Sequence, residues 1–380
     1  MPKANGILFC GGGTGGHVLP GLAVAQALRG QGETTFRWIG DPARIEAQLV
    51  PKAGITLLPY GLSRPRISSP HWIFSSIRQA WSCFRELRES PPRVVVALGG
   101  YAALLPGLIA PLLRRPLVVM EQNARSGRTN RLLARFANVI VTQFPEARHG
   151  MPGRRVAQLG NPVRFIQPQL RGTTATLRVL IAGGSLAAKS LNDLIIQAAP
   201  ELARISGLMI IHLAGEQDRE RVDAAYRVAG VQAEVLGFSH DMPAIYERTD
   251  VAITRAGATT VAELCAAGIP ALYIPLPWAA DDHQTANAQA VMRIGGAHVL
   301  PQATITAADI TKDIKQFAEN RAIVTRMGQA AQLLARPQAA NAVAQLVRNL
   351  PLSQGIGLSR RAAARQRFGK SIQTFQKASA

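Results

Sequence analysis

Five glycines fall within the six residues Gly11–Gly16, and His17 follows at once. A run so free of side chains lets backbone N–H groups close on an anion, and a helix that starts there adds the positive end of its dipole. The chemistry this string suggests is pyrophosphate binding. His17 stands at the helix start, where a neutral imidazole can hydrogen-bond phosphates or accept a proton, and where a plain capping or packing role is equally open. The same string spells Gly-x-Gly-x-x-Gly at Gly11, Gly13 and Gly16, with Asp41 after the second apolar run. A nicotinamide dinucleotide site is therefore a competing reading.

The second half repeats the device. Gly183-Gly184-Ser185 follows an apolar run and precedes a helix from about Lys189, with the Ser185 hydroxyl offered to a phosphate oxygen. After the run Val251–Thr254 comes a further helix start at Gly257 to Thr260, and Glu263 lies one turn in. There a carboxylate can take the vicinal hydroxyls of a ribose, or serve only the helix dipole. Pro275-Leu276-Pro277 is followed by Asp281-Asp282-His283-Gln284 and Asn287, whose carboxamides suit sugar hydroxyls. Asp281 and Asp282 lack further spaced ligands, so no metal site is expected. One phosphate loop serves a dehydrogenase; two point to two phosphorylated substrates.

Loops of this kind need rigid strands behind them. Short apolar runs occur at Ile7–Cys10, Phe36–Ile39, Ile55–Leu58, Val94–Leu98, Leu117–Met120, Val139–Val141, Arg178–Ile181, Met209–Leu213, Val251–Thr254 and Ala271–Ile274. They alternate with Ala/Leu-rich helical stretches, the rhythm of α/β parallel sheets covered on both faces. With 380 residues, two such domains are expected, 1–164 and 165–350, divided near Gly160-Asn161-Pro162. Residues 351–380 read as a flexible basic tail with a helical stretch at 359–368. The uncharged stretch Val94–Leu113 has the length of a membrane span, but Gly99-Gly100, Pro106 and Pro111 break it into strand, turn and short helix. The run before Gly11 is too short for a signal peptide. The 3 cysteines are widely spaced, which points to reduced thiols.

Charge is uneven. The chain carries +20, with 16 basic against 4 acidic groups in residues 61–164, balance in 165–350, and 6 basic groups and no acid in 351–380. The basic half calls for an anionic partner: a phosphorylated ligand, a nucleic acid or an acidic membrane. No nucleic-acid motif supports the second, so no nucleic acid is expected as partner.

The strings GGGTGGHVLPGLAVA (11–25), GGY (99–101), EQN (121–123), GNPVR (160–164), GGSLAAKSLN (183–192), RAGATTVAEL (255–264) and DDHQTANA (281–288) together resemble the MurG family. These are bacterial enzymes that use UDP-GlcNAc to convert lipid I to lipid II in peptidoglycan synthesis. The resemblance spans about residues 5–345 and implies a GT-B architecture of two Rossmann-like domains with an intervening cleft. It also implies inverting transfer without metal or cofactor, and a peripheral location on the cytoplasmic face of the inner membrane. In the same way the last helix, about 337–350, is expected to pack back on the N-terminal, acceptor-side domain.

Matched motif by motif, Thr14, Gly15 and Gly16 would border the donor and hold the acceptor's pyrophosphate. Asn123 and Arg164 would line the nucleotide-sugar site, and Ser185 would take the donor diphosphate. Ser239 would lie by the uracil, Ala258, Thr259, Thr260, Val261, Ala262 and Glu263 would form the nucleotide loop with Glu263 on the ribose, and Gln284 would contact the GlcNAc. Family members often carry His before Glu-Gln-Asn, where this chain has Met120, so His17 becomes the first candidate for the base and Glu121 the second. The partners implied are UDP-GlcNAc, lipid I and an anionic bilayer. For the bilayer, the basic residues Arg64, Arg66, Arg78, Arg85 and Arg88 interleave with Trp72, Ile73, Phe74, Ile77, Trp81 and Phe84, unless that helix packs inward.

Overall fold

The computed structural model describes residues 6–60, 70–151, 155–163, 175–184 and 188–351, without the side chains of 70–73, 188 and 280. Arg64, Arg66, Arg164, Ser185 and the tail with its expected helix lie outside the described residues. The chain forms two compact units, one of residues 1–163 with 336–380, the other of residues 164–335.

The first unit is built on seven strands: β1 Ile7–Gly11, β2 Phe36–Ile39, β3 Thr56–Leu58, β4 Val94–Gly99, β5 Leu117–Glu121, β6 Val139–Thr142 and β7 Val156–Ala157. Their order is β3-β2-β1-β4-β5-β6-β7, and the pairs are parallel. Helices α1 Gly15–Gly30, α2 Glu46–Lys52, α3 Pro70–Glu89, α4 Leu104–Leu112 and α5 Arg128–Ala134 intervene. Because both faces are covered, the strands read as continuous apolar runs instead of alternating ones. Val94, Val96 and Leu98 enter one core, and Val95 and Ala97 the other. The span-length stretch is divided between β4 and α4, with a 3₁₀ turn at Tyr101–Ala103. No helix among the described residues is long and apolar enough to cross a membrane.

The second unit runs β8 Leu177–Ala182, α6 Ala188–Leu202, β9 Leu208–Leu213, α7 Arg219–Ala229, β10 Ala233–Leu236, α8 Met242–Glu247, β11 Val251–Thr254, α9 Ala258–Ala267, β12 Ala271–Tyr273, α10 His283–Arg293, β13 Ala297–Val299, α11 Ala307–Glu319 and α12 Arg321–Gln332. Its parallel sheet has the order β10-β9-β8-β11-β12-β13. The final helix, α13 Ala339–Asn349, belongs to the first unit, where Val343, Ala344 and Val347 join Val18, Val24 and Leu28 of α1 in the core. Arg93 fastens it, donating to the Arg348 carbonyl at 2.9 Å while pairing with Glu33 at 3.1 Å.

Three strands are absent from the apolar runs read in the sequence. β7, β10 and β13 are two to four residues long, lie at sheet edges and carry polar or small residues such as Glu234 and His298. Edge strands need only one apolar face, so no continuous run marks them. All three cysteines are buried, and burial pushes the Cys83 and Cys265 thiols up to about 12.

Candidate active site

In both sheets strand order reverses beside the first strand, between β1 and β4 and between β8 and β11. Loops diverge at such a point and leave a crevice at the carboxyl ends of the strands. The glycine string and Gly99-Gly100 occupy the first reversal; Gly183-Gly184 and Arg255 to Ala258 occupy the second.

The glycine string is held from beneath. Glu46, wholly buried at the start of α2, accepts the Gly13 N–H at 2.9 Å and the Asp41 N–H at 3.0 Å. Trp38 Nε1 donates to the Gly11 carbonyl at 2.9 Å. A Cβ on Gly12 would fall on the Glu46 carboxylate, so glycine is required there by close approach. This narrows the expected anion cradle: Gly13, though exposed, turns its N–H inward onto a carboxylate, and the N–H groups left to face outward belong to exposed Thr14 and half-buried Gly15 and Gly16. The Thr14 carbonyl accepts from the His17 and Val18 N–H groups at 3.1 and 3.2 Å, which starts α1. The dinucleotide reading loses its ribose ligand, because Asp41 caps the Ala43 N–H at 2.9 Å. Nothing in the sequence singled out Glu46; the one signal is that the glycines at 12 and 40 both back onto it.

His17 is half-buried, with Nδ1 3.3 Å from the Gln122 Oε1. Gly99, at φ +103°, lies beneath the ring; a Cβ there would press on His17 Cε1 at 3.0 Å and on Asn130 Nδ2 at 3.3 Å. Glu121, the second candidate base, is buried and already engaged. One oxygen accepts the Asn123 N–H at 2.9 Å and its Nδ2 at 3.2 Å; the other accepts the Gly127 N–H and Asn130 Nδ2, both at 2.9 Å. It organises the turn from β5 into α5 and carries Asn123 with it. Met120 is buried in the first core and brings no titratable group to the site.

In the second unit, Gly257 caps α9 in an extended conformation, and the first-turn residues Thr259 and Thr260 are half-buried. Ala258, Val261 and Ala262 are buried, and the Val261 N–H already bonds the Gly257 carbonyl at 2.9 Å, so the loop expected from 258 to 263 presents Thr259 and Thr260. Glu263 is buried and accepts a hydrogen bond from the Tyr246 hydroxyl at 2.8 Å. Arg255 is buried as well. It donates to the Ile274 carbonyl and to Ser190 Oγ of the first turn of α6, both at 2.8 Å, and burial lowers its pKa. The Ser239 hydroxyl accepts the Asp241 N–H at 3.1 Å, shaping the loop before α8. Gln284 Oε1 accepts the Leu276 N–H at 3.0 Å, pinning the Pro-Leu-Pro segment. Asp281 and Asp282 both take positive φ ahead of α10, and among the described residues no three His, Cys, Asp or Glu side chains cluster as metal ligands would.

A polar network braces this unit. Buried His212 joins the Tyr226 hydroxyl at 2.8 Å and Asn192 Oδ1 at 3.0 Å, and Asn192 Nδ2 donates to Asp218 at 2.8 Å. Burial draws the His212 pKa down to about 3.

On the first unit, α3 turns apolar side chains outward: Phe74, Ile77 and Trp81 are 76%, 64% and 66% exposed, beside exposed Arg78, Arg85 and Arg88. Cys83 and Leu87 face the core. An inward-packed helix would show the reverse pattern.

Residues 7–142 match the glycosyltransferase family 28 N-terminal domain, and residues 178–345 match the corresponding C-terminal domain. The chain is 40% identical, over 90% of its length and 97% of the relative's, to the UDP-N-acetylglucosamine–N-acetylmuramyl-(pentapeptide) pyrophosphoryl-undecaprenol N-acetylglucosamine transferase of Alkalilimnicola ehrlichii. It is equally similar, at 40% over 92% of this chain and 98% of the relative, to the Aeromonas hydrophila enzyme of the same name. The crystal structure of Acinetobacter baumannii MurG superposes with a TM-score of 0.77 at 33% identity, covering 91% of this chain and all of that one. Two Rossmann-like parallel-sheet units and this kinship together show that the chain belongs to the MurG family of GT-B glycosyltransferases.

Proposed function

We infer that this chain is an N-acetylglucosaminyltransferase that moves GlcNAc from UDP-GlcNAc to the C4 hydroxyl of MurNAc in undecaprenyl-pyrophosphoryl-MurNAc-pentapeptide, converting lipid I to lipid II. Beyond the kinship, the observation that carries this reading is His17, a half-buried imidazole at the strand-order reversal of the first sheet. The acceptor oxygen bonds to C1 of GlcNAc as the bond from C1 to the UDP oxygen breaks, with inversion, and the hydroxyl proton passes to His17. Glu121 is set aside as the base because its oxygens already accept four hydrogen bonds that hold the β5–α5 turn.

The second unit takes the donor. The first turns of α6 and α9 offer N–H groups to the leaving diphosphate, Arg255 adds a cation behind α6, and Ser185 contributes its hydroxyl. Glu263 binds the ribose, Ser239 borders the uracil, and Gln284 meets the GlcNAc. From the first unit Thr14, Gly15 and Gly16 hold the acceptor pyrophosphate, with Asn123 and Arg164 at the nucleotide sugar. Titration calorimetry tests the assignment: UDP-GlcNAc binds and NADH does not. NADH binding without UDP-GlcNAc binding would overturn it.

The acceptor's polyprenyl chain lies in a bilayer, and the outward face of α3 suits that surface. Phe74, Ile77 and Trp81 enter the headgroup region while Arg78, Arg85 and Arg88 meet anionic lipid, each cation worth about 1 kcal/mol near the surface. The protein thus works as a peripheral enzyme on the cytoplasmic face of the inner membrane. Binding to acidic vesicles weakens as salt rises, and Trp81→Ala reduces it without loss of thermal stability. Equal binding to neutral and acidic vesicles would contradict the electrostatic part.

A further inference from the structure

We propose that Gln122 is a positioning residue that fixes the tautomer of His17; this rests on the reading of His17 as the base. Gln122 is 2% exposed, and its Oε1 lies 3.3 Å from His17 Nδ1. Its Nε2 is buried with no hydrogen-bond partner among the described residues, so the carboxamide's side-chain bonding is directed to His17. The backbone explains the reach. Gln122 directly follows β5, whose last residue Glu121 is clamped by Asn123, Gly127 and Asn130, so the strand end and the side chain leaving it are rigid. On the other side the ring is backed by Gly99, whose missing side chain gives it room.

The chemical consequence follows from which atom faces the ring. A carbonyl oxygen accepts and does not donate, so Oε1 selects the imidazole with hydrogen on Nδ1, and Nε2 becomes the basic nitrogen. Free imidazole side chains favour the opposite tautomer, with hydrogen on Nε2, which could not take a proton at that atom. A neutral carboxamide also leaves the ring uncharged before reaction, whereas a carboxylate in the same place would draw a proton onto it. The role assigned to Gln122 is therefore exerted through His17 and not on the reacting atoms.

The test reads the tautomer directly, by two-bond ¹H–¹⁵N correlation spectra of the full chain labelled with ¹⁵N-histidine, His17 being assigned from its loss in His17→Gln. Wild type should show hydrogen on Nδ1. Gln122→Met and Gln122→Leu, either of which serves if the other fails to fold, should move it to Nε2, while Gln122→Glu should keep Nδ1 protonated. In transfer assays the Met and Leu variants should lose about 10–100-fold in kcat, with KM for UDP-GlcNAc changed less than about twofold. The Glu variant should recover most of that loss only at higher pH, its rate profile being displaced upward because the carboxylate holds a proton on the ring. Hydrogen on Nε2 in wild type, an unchanged tautomer in both apolar variants, or a loss confined to KM would each overturn the proposal. If His17→Ala is fully active, the base assignment falls instead, and the spectra still decide whether Gln122 sets the tautomer.

Discussion

Beneath the carboxyl edge of the first sheet lie two buried carboxylates, Glu46 and Glu121, which draw the N–H groups of Gly13, Asp41, Asn123 and Gly127 inward. Beneath the edge of the second sheet lies a buried cation, Arg255, braced on Ser190 at the start of α6. Net charge runs the other way: the segment 61–164 is strongly basic, and 165–350 is balanced. The contrast separates two uses of charge. Positive charge in the first unit lies on the surface, along α3, whereas Arg255 of the second is buried behind the first turn of α6. Under the proposed reading a diphosphate leaving group suits the second edge and an imidazole base the first.

Each side of this contrast can be broken by itself. The largest effect is expected from His17→Ala, which should lower kcat by about 10²–10⁴-fold, the usual worth of a general base, and leave UDP-GlcNAc affinity by calorimetry nearly unchanged. Activity near wild type would remove His17 from the mechanism. Next comes Glu263→Gln in the second unit, which should weaken UDP-GlcNAc by about 10–100-fold, as loss of a charged hydrogen bond does, with a smaller change in kcat.

A third test strikes the support of the glycine string. Glu46→Ala leaves the Gly13 and Asp41 N–H groups without their acceptor, so urea unfolding should report a loss of about 2–4 kcal/mol. Donor affinity should hold in the folded fraction. The last effect, small at neutral pH and growing on acidification, concerns His212, whose folded pKa of about 3 lies below its ordinary 6.5. Between those values the unfolded chain binds the extra proton, so stability is full above 6.5 and falls as pH drops toward 3. The slope contributed is at most about 1.4 kcal/mol per pH unit. His212→Gln should flatten the urea-midpoint profile between pH 6.5 and 4, and an unchanged profile would remove His212 from the effect.

What could be read from sequence follows physical lines. Strands buried on both faces, such as Val94–Gly99, leave continuous apolar runs, and the helix starts at the strand-order reversals follow glycines; both are legible. Edge strands such as Ala297–Val299 need no such run and are not. Among candidate site residues, His17 and Glu263 stand out because glycine or a helix start precedes them. Glu46 does not, because its partners are backbone groups brought to it by β2 and the turn after β1, and a surface-type Glu-Ala-Gln sequence conceals a wholly buried carboxylate. Gln122 was visible only as the middle of Glu-Gln-Asn; its bond to a residue 105 positions away is a product of the β1-β4-β5 order. The two-loop pattern disfavours a dehydrogenase, and the fold adds that Asp41 is engaged with the Ala43 N–H.

Incubating the purified full chain with labelled UDP-GlcNAc and a soluble lipid I analogue in the presence of EDTA, then determining the anomeric configuration of the product, tests the proposed transfer at its reacting carbon. The expected product is labelled disaccharide in the β configuration, formed from the α-linked donor. No product from a folded protein that binds UDP-GlcNAc, or an α-linked product, would contradict the proposed transfer.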